Sequence, residues 1–286
     1  SMEKITDGFN LIEGPLWDNK LGLIFSDAVG GGVYALSNTG DVTVVLEHRK
    51  GIGGIARHEQ QGLVVSGRNI AFKPFGGGET NILLDRDTTA GVVGFNDLTT
   101  DNSGRIYAGS LSSSPLVAGE RTAATGNLYL IDLDGSSRIV AEDIRLNNGL
   151  AFSPDGATLY HSDSIRRTVY QYAVEDDGTL GEKRVFAKVD TGGPDGLVVS
   201  ADGRVWVALA GGGHGVSVFN PDGSASHFIE IPQPMCTSVC FGGEDLRMLF
   251  IVSGSEGMGT DKAGAVYCTR TDVPGLMVPL ARVSLR

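Results

Sequence analysis

The sequence predicts an all-β fold, a six-bladed β-propeller around a central channel, built as a single domain over residues 1–286. Three observations lead to this prediction: a sixfold repeat, a high glycine content and the absence of helical periodicity. In each repeat, a polar or glycine residue precedes a short apolar segment, a turn and a second apolar strand. The first strand residues of the six copies are Leu16, Ile55, Leu98, Leu150, Leu197 and Val239. Their spacing of about 40–50 residues is typical of propeller blades.

Composition agrees with this architecture. The chain has 42 glycines in 286 residues, about twice the usual share, and glycine-rich turns between many short strands account for the excess. No segment keeps an apolar period of 3.6 residues over three turns, so we expect little helix. Six blades of about 45 residues each fill the length, so no second domain is needed.

The elements follow in chain order. Residues 3–12 should form an extended segment that closes the ring by pairing beside residues 265–269. Blade one is expected over residues 13–45, blade two over 51–84 and blade six over 237–269, while blades three, four and five begin at Asn96, Asn147 and Pro194. Residues 112–126 are an irregular insertion, which is either a lid over one face or a passive surface loop. Three further triplets predict hairpin turns whose aspartates carry no chemistry: Pro154-Asp-Gly156, Ala201-Asp-Gly203 and Pro221-Asp-Gly223.

Charge and cysteine usage limit the partners. The formal net charge of −11 argues against nucleic acids and anionic membranes, which need basic patches. No apolar run is long enough to span a membrane, and no signal peptide is visible, although whether a leader was removed stays open. The odd number of cysteines (Cys236, Cys240 and Cys268) fits reduced core thiols in a cytoplasmic protein. We expect a monomer or a weak dimer.

The candidate site lies just ahead of the first apolar residue of each blade. The slot two residues upstream, or three in the first copy, is occupied by Glu13, Gly53, Asn96, Asn148, Asp195 and Thr237. If the blades are equivalent, these slots point at one channel, where Glu13, Asn96, Asn148 and Asp195 would offer oxygens to a hard cation. Two carboxylates balance a divalent charge, and four protein ligands leave positions for water and substrate. One divalent metal ion is therefore predicted in the central channel, with calcium favoured and manganese, magnesium and zinc as alternatives.

Other interpretations of these residues are available. Asn-Gly and Asp-Gly pairs are common turn formers, so Asn148 or Asp195 considered alone would be read as a turn residue. Their shared position in the repeat favours a common site, because the true turn triplets occur later in the same copies. Asp97 could ligate in place of Asn96 or orient it, whereas Asp27 and Asp163 are interpreted as structural.

Five motifs in this order resemble the SMP-30/gluconolactonase/luciferin-regenerating-enzyme family, and are also similar to diisopropyl-fluorophosphatase. They are Glu13-Gly-Pro-Leu-Trp, Phe95-Asn-Asp, Asn148-Gly-Leu-Ala-Phe-Ser-Pro-Asp-Gly, Pro194-Asp-Gly-Leu and Thr237-Ser-Val-Cys-Phe-Gly-Gly. The resemblance implies a six-bladed propeller with one divalent metal held by Glu13, Asn148 and Asp195. It makes Asn96 a fourth ligand or a substrate contact, and Asp195 the catalytic carboxylate.

One position departs from the family pattern. Sugar-lactone members tend to have an arginine two residues before the third-slot asparagine, where it contacts sugar hydroxyls, and this chain has Gly94 there. The departure suggests a less polar or larger lactone or ester.

The predicted function is metal-dependent hydrolysis of a small-molecule lactone or ester. The cation would polarise the carbonyl as a Lewis acid, and Asp195 would deprotonate the attacking water or attack directly. One alternative is hydrolysis of organophosphate esters at the same site. Another is a non-catalytic propeller that binds a small ligand or a protein, with a structural metal whose coordination shell is closed.

Overall fold

A computed structural model describes residues 1–112 and 124–285. These residues form 24 strands in six four-stranded sheets, with two short 3₁₀ helices, Thr88–Ala90 and Glu256–Met258. The six-bladed propeller and the near-absence of helix are thus confirmed. Residues 113–123 of the predicted lid or loop at 112–126 lie outside the described residues, and Gly126 already belongs to a strand.

The strands follow the repeat. The chain begins with β1 (Glu3–Phe9), and the blades then succeed one another. Blade one comprises β2 (Ile12–Asp18), β3 (Gly22–Asp27), β4 (Val33–Leu36) and β5 (Val42–Leu46). Blade two comprises β6 (Ile55–His58), β7 (Gly62–Val65), β8 (Asn69–Pro74) and β9 (Asn81–Asp85). Blade three comprises β10 (Gly94–Thr100), β11 (Ile106–Leu111), β12 (Gly126–Ile131) and β13 (Ser137–Ile144).

The second half repeats the pattern. Blade four comprises β14 (Asn147–Phe152), β15 (Thr158–Asp163), β16 (Thr168–Ala173) and β17 (Arg184–Lys188). Blade five comprises β18 (Gly193–Val199), β19 (Val205–Ala210), β20 (Gly215–Phe219) and β21 (Ala225–Glu230). Blade six comprises β22 (Cys236–Gly242), β23 (Met248–Ser253) and β24 (Gly264–Arg270), and β1 supplies its fourth strand.

The ring is closed by strand pairing between the two ends of the chain. Strand β1 pairs antiparallel with β24, so that Glu3 lies opposite Cys268 and Phe9 opposite Gly264. This pairing confirms the expected closure. It also ties the first blade to the last, so that the ring has no open side at which blade one and blade six would expose apolar surface.

The core lies between neighbouring blades. Inner strands such as β3 and β22 are buried along their whole length, whereas the outermost strands β5 and β21 are mostly exposed. Each apolar cluster joins two adjacent sheets; Trp206 of blade five, for example, packs in one cluster with Val239 of blade six. The three cysteines are buried and free, in keeping with the predicted core thiols.

Residues 271–285 form a segment, here called the strap, that crosses the channel at the end away from the slots. Its backbone bonds to Leu246 of blade six and to Arg57 of blade two, and the Arg282 amide donates to the Gly104 carbonyl. Leu276, Met277 and Val278 pack against three different interblade clusters. The strap thus connects blades that are not neighbours in the ring.

No helix among the described residues has the length and apolarity needed to cross a membrane.

Candidate active site

A β-bulge opens the inner strand of five blades at the slot. In blade three the register slips between Phe95 and Leu98, and in blade four between Asn147 and Leu150. Equivalent slips occur in blades one, five and six. A bulge leaves residues unpaired and re-aims their side chains. It therefore turns the slot side chains of blades three, four and five out of the regular alternation of the strand.

The two slot asparagines contact each other directly. The Asn96 Nδ2 donates to Asn148 Oδ1 at 3.1 Å and to the Asn147 carbonyl at 2.8 Å. The Asn148 Nδ2 donates to Ser164 Oγ at 2.8 Å. Both amide nitrogens are thereby held by protein acceptors, which fixes the orientation of the two amide oxygens.

The glycine slot of blade two makes room for Asn96. A Cβ at Gly53 would lie 2.1 Å from Asn96 Oδ1, so no larger residue fits without moving that amide. Ser66 Oγ accepts from the backbone amides of Gly53 and Gly54, both at 3.0 Å, which holds this stretch in place. The space beside Gly53 is therefore occupied by the side-chain oxygen of the slot residue of blade three.

Glu13 differs from the other slot residues in register. It is the last paired residue before its bulge, as Asn147 is in blade four, whereas Asn148 lies within the bulge. The six slots are therefore not strictly equivalent, which explains the three-residue spacing of the first copy. Glu13 is buried, and its pKa is raised well above the usual range by burial, then by repulsion from Asp195 and Asp97.

Asp195 is 4% exposed at the same end of the channel. Its charge raises the pKa of Glu13. The pKa of the Cys236 thiol is raised mainly by burial, and the charges of Asp195 and Glu13 add to that effect. The neighbouring blade approaches its backbone closely: a Cβ at Gly149 would lie 2.5 Å from the Asp195 carbonyl oxygen. Glycine at the position after the slot is needed for this interblade contact.

Asp97 is a third carboxylate of the cluster. It occupies the position after the slot, where four other blades have glycine: Gly14, Gly54, Gly149 and Gly196. Its Oδ1 accepts from the Leu98 amide at 2.8 Å, and burial raises its pKa to about 7. The sequence predicted only that Asp97 would ligate in place of Asn96 or orient it. The sequence did contain a sign of a distinct role, because aspartate stands here where four other blades have glycine.

The donor set fits a hard cation. Among residues 1–112 and 124–285, neither Glu13 nor Asp97 forms an ion pair, so that these two carboxylates lie close together without a basic partner. The same residues contain no group of three or more His, Cys, Asp or Glu side chains arranged to hold a metal. Ligation here would accordingly depend on the amide oxygens of Asn96 and Asn148 as well as on the carboxylates.

The remaining polar residues near the channel have structural partners. The Thr237 hydroxyl donates to the Ile12 carbonyl at 2.5 Å and joins blade six to blade one. Asp27 accepts from four backbone amides and Asp163 from three. His161 is fully buried between Asn147 Oδ1 and the Tyr172 hydroxyl. These contacts support the structural interpretation of Asp27 and Asp163.

A cavity of about 470 Å³ occupies the channel beyond the slots. Its wall includes Leu16, Leu98 and Leu150, and the strap contributes residues 276–279. It reaches the carboxylate cluster from the far side through Asp97 and does not include Glu13, Asn96, Asn148 or Asp195. The slots and this cavity therefore face opposite ends of the channel.

Comparison with known proteins adds to this geometry. The family model described as "SMP-30/Gluconolactonase/LRE-like region" matches residues 11–255. The 6-deoxy-6-sulfogluconolactonase of Pseudomonas putida is 32% identical over 279 residues, covering 94% of each chain. The pentonolactonase XacC of Haloferax volcanii is 32% identical over 219 residues, covering 71% of this chain and 72% of that one.

A solved structure agrees with these sequence relatives. The gluconolactonase of Xanthomonas campestris superposes with a TM-score of 0.79 at 28% identity, over 96% of this chain and 89% of that chain. The match of motifs, fold and sequence leads to one conclusion: this chain belongs to the SMP-30/gluconolactonase/luciferin-regenerating-enzyme family.

Proposed function

We propose that the protein is a metal-dependent hydrolase that opens a lactone. The observation that carries the proposal is the gathering of Glu13, Asp195 and Asp97 with two interlinked asparagine amides at one end of the channel. The lactonases among its relatives support the reaction class, since two of them are 32% identical to this chain. The predicted preference for a less polar or larger lactone stays a prediction.

Glu13, Asn148 and Asp195 would hold the cation, with Asn96 as a fourth ligand or a contact to substrate. Because the Asn96 amide nitrogen already donates to two acceptors, its Oδ1 is the atom that remains for a cation or a substrate hydroxyl. Oxygen-only donors of this kind suit calcium, with magnesium and manganese as weaker matches. When bound, the cation supplies Lewis-acid polarisation of the ester carbonyl.

The chain's own residues supply the proton transfer. Asp195 accepts a proton from water as the water oxygen bonds to the lactone carbonyl carbon. The ring C–O bond then breaks, and the proton passes to the departing alkoxide, which gives an open-chain hydroxy acid. A carboxylate has two oxygens, so that holding a cation through one leaves the other for the proton. The interblade contact between Gly149 and the Asp195 backbone keeps this group in position.

Replacing Asp195 by Asn tests the proposal. The substitution keeps the shape of the side chain and removes its ability to accept the proton, so kcat/KM for lactones should fall by more than tenfold, which is about 1.4 kcal/mol of barrier. The measurement is a hydrolysis screen over aliphatic, aryl and sugar lactones, first with chelator and then with added calcium, manganese or zinc. Circular dichroism should show an unchanged strand content.

Asp222→Asn is the matched control, because Asp222 lies in an exposed turn and accepts from Ser224. It should retain wild-type rates. Retention of more than a tenth of the wild-type rate by the Asp195→Asn variant would rule out Asp195 as the base. Faster hydrolysis of phosphotriesters than of any lactone would instead support the organophosphate alternative, and no turnover at any metal concentration would support the non-catalytic one.

A further inference from the structure

Two arginines lie together on the slot side of blade two. Arg49 is partly buried, and its guanidinium donates to the Ser66 carbonyl, to the Asn69 carbonyl and to Asn69 Oδ1 at 2.9 to 3.1 Å. These bonds hold both ends of the turn between β7 and β8. Arg68 is at the tip of that turn and is exposed. Among the described residues its side chain has no hydrogen bond or ion pair, which leaves the guanidinium available to a ligand.

The turn that carries Arg68 is packed against the strand that carries Asn96. The Phe95 amide donates to the Gly67 carbonyl at 2.7 Å. A Cβ at Gly94 would lie 2.8 Å from that carbonyl oxygen and 3.6 Å from the Arg68 Cα. The turn of blade two therefore fills the place that a side chain of residue 94 would take.

Arg68 is within reach of a substrate at the slots. Gly94 and Asn96 are two residues apart, and two residues of extended chain span about 7 Å, a distance that an arginine side chain can bridge. The residues on either side of Arg68 are held in place, because Arg49 bonds to Ser66 and Asn69 and β10 bonds to Gly67, so the Arg68 side chain starts from a defined position.

The charge around Arg49 and Arg68 is positive, whereas the net charge of the chain is negative. The chain has 34 acidic and 23 basic residues, yet neither Arg49 nor Arg68 is paired with a carboxylate among the described residues. Burial, followed by repulsion from Arg68, lowers the pKa of Arg49. Asp85 and Arg86 line the cleft on the outer side of Arg68 and bring one charge of each sign. Two uncompensated guanidinium groups beside a substrate site form a local positive potential that favours an anion.

We propose that Arg68 is a specificity-determining residue that binds an anionic substituent, such as a carboxylate, phosphate or sulfonate, on the lactone substrate. The planar guanidinium suits such groups because it can donate two parallel hydrogen bonds. Arg49 acts as a positioning residue for the turn. This inference rests on the proposed lactone hydrolysis and assigns an anionic lactone to that site, in place of the less polar lactone that Gly94 alone suggests.

The test compares two lactones that differ by one charge, D-glucono-1,4-lactone and D-glucaro-1,4-lactone, the second with a carboxylate in place of the hydroxymethyl group. Wild-type kcat/KM should favour the anionic lactone, and Arg68→Gln should reduce the anionic-to-neutral ratio at least tenfold. Arg68→Lys should be intermediate, since it keeps the charge and loses the bidentate geometry. The preference should also weaken with added salt, because an exposed ion pair is screened.

Arg184→Gln is the matched control, as this exposed arginine lies on the outer strand of blade four. The anionic-to-neutral ratio of kcat/KM in this variant should equal that of the wild type. A ratio unaffected by Arg68→Gln would overturn the proposal even if both lactones are hydrolysed. A wild-type ratio of one would do the same.

Binding separates this inference from the proposed function. Calorimetric affinities of both lactones are measured on the Asp195→Asn variant, with and without Arg68→Gln. If the wild type opens neither lactone but the anionic one binds more tightly and loses that advantage with Arg68→Gln, the anion subsite stands and the hydrolase proposal fails. Equal affinities for the two lactones would overturn the anion subsite and leave the proposed lactone hydrolysis untouched.

Discussion

Gly53 contributes to the site through the side chain that it lacks. Because the Asn96 oxygen lies where a Cβ at residue 53 would be, Gly53→Ala should displace that amide. If Asn96 helps to hold the cation, calcium affinity should fall by at least tenfold while the strands persist. Isothermal titration calorimetry with calcium measures the affinity, and circular dichroism measures the fold.

Gly181→Ala provides the control for this substitution. Gly181 is exposed, and a Cβ there would make an ordinary contact at 3.5 Å with the Ala173 Cβ. Neither glycine adopts a left-handed φ, so the two variants change the unfolded chain to the same extent. Calcium affinity within twofold of wild type for Gly53→Ala would contradict a ligand role for Asn96.

His161 should make stability depend on pH. Burial lowers its pKa to about 3 from 6.5, so between these values the unfolded chain binds a proton that the folded chain does not. Stability is therefore lost as the pH falls below about 6.5, and at pH 5 the loss from this residue is about 2 kcal/mol. Urea unfolding at pH 7 and pH 5 measures it.

The reference protein is the His161→Gln variant. Glu13 and Asp97 have raised pKa values, so their contribution to stability increases as the pH falls, opposite to that of His161. Subtracting the variant's pH dependence from that of the wild type isolates His161. The same pH dependence of stability in both proteins would contradict this prediction, because it would mean that His161 binds its proton as readily in the folded state as in the unfolded chain.

At the scale of elements, the bulge gathers the residues of the candidate site on an otherwise regular strand. A regular strand alternates its side chains between two faces, so residues 96 and 97 would point in opposite directions. The slip between Phe95 and Leu98 frees both from that alternation. This accounts for the presence of Asn96 and Asp97 at one cluster, even though they are sequence neighbours.

The strap is the second element with a molecule-wide effect. Val283 is fully buried in the cluster shared by blades two and three, so Val283→Ala should destabilise the protein by about 2 kcal/mol. Val44→Ala is the control, because Val44 is 56% exposed on β5 and should change stability by less than about 0.5 kcal/mol.

Urea unfolding followed by the fluorescence of the two tryptophans, Trp17 in blade one and Trp206 in blade five, shows how far the effect spreads. Their combined emission should show a single transition with a lowered midpoint if the strap stabilises the ring as a whole. A normal midpoint in Val283→Ala would mean that the strap is an independent appendage.

At the scale of the whole molecule, the ring brings distant residues to one axis. Asn96 and Asn148 are 52 positions apart, and Thr237 bonds to Ile12 across 225 positions. The β1–β24 pairing adds a further long-range link. Blade number and the spacing of the slots were predictable because each depends on a repeat or a turn within one blade, and ring closure was predictable because an extended segment precedes the first repeat. The strap was not, since residues 271–285 have no repeat pattern of their own.

Local chain chemistry by itself determined the strands, the turns and the spacing of the polar slots, because apolar alternation and glycine turns act over a few residues. Only the tertiary structure decided that Glu13 is offset in register, that Asn96 occupies the space at Gly53, and that the turn of Arg68 packs against Gly94. Those arrangements depend on how one blade packs against the next. Contacts between surfaces far apart in the chain are set by packing and exclusion of volume, which no single stretch of sequence contains.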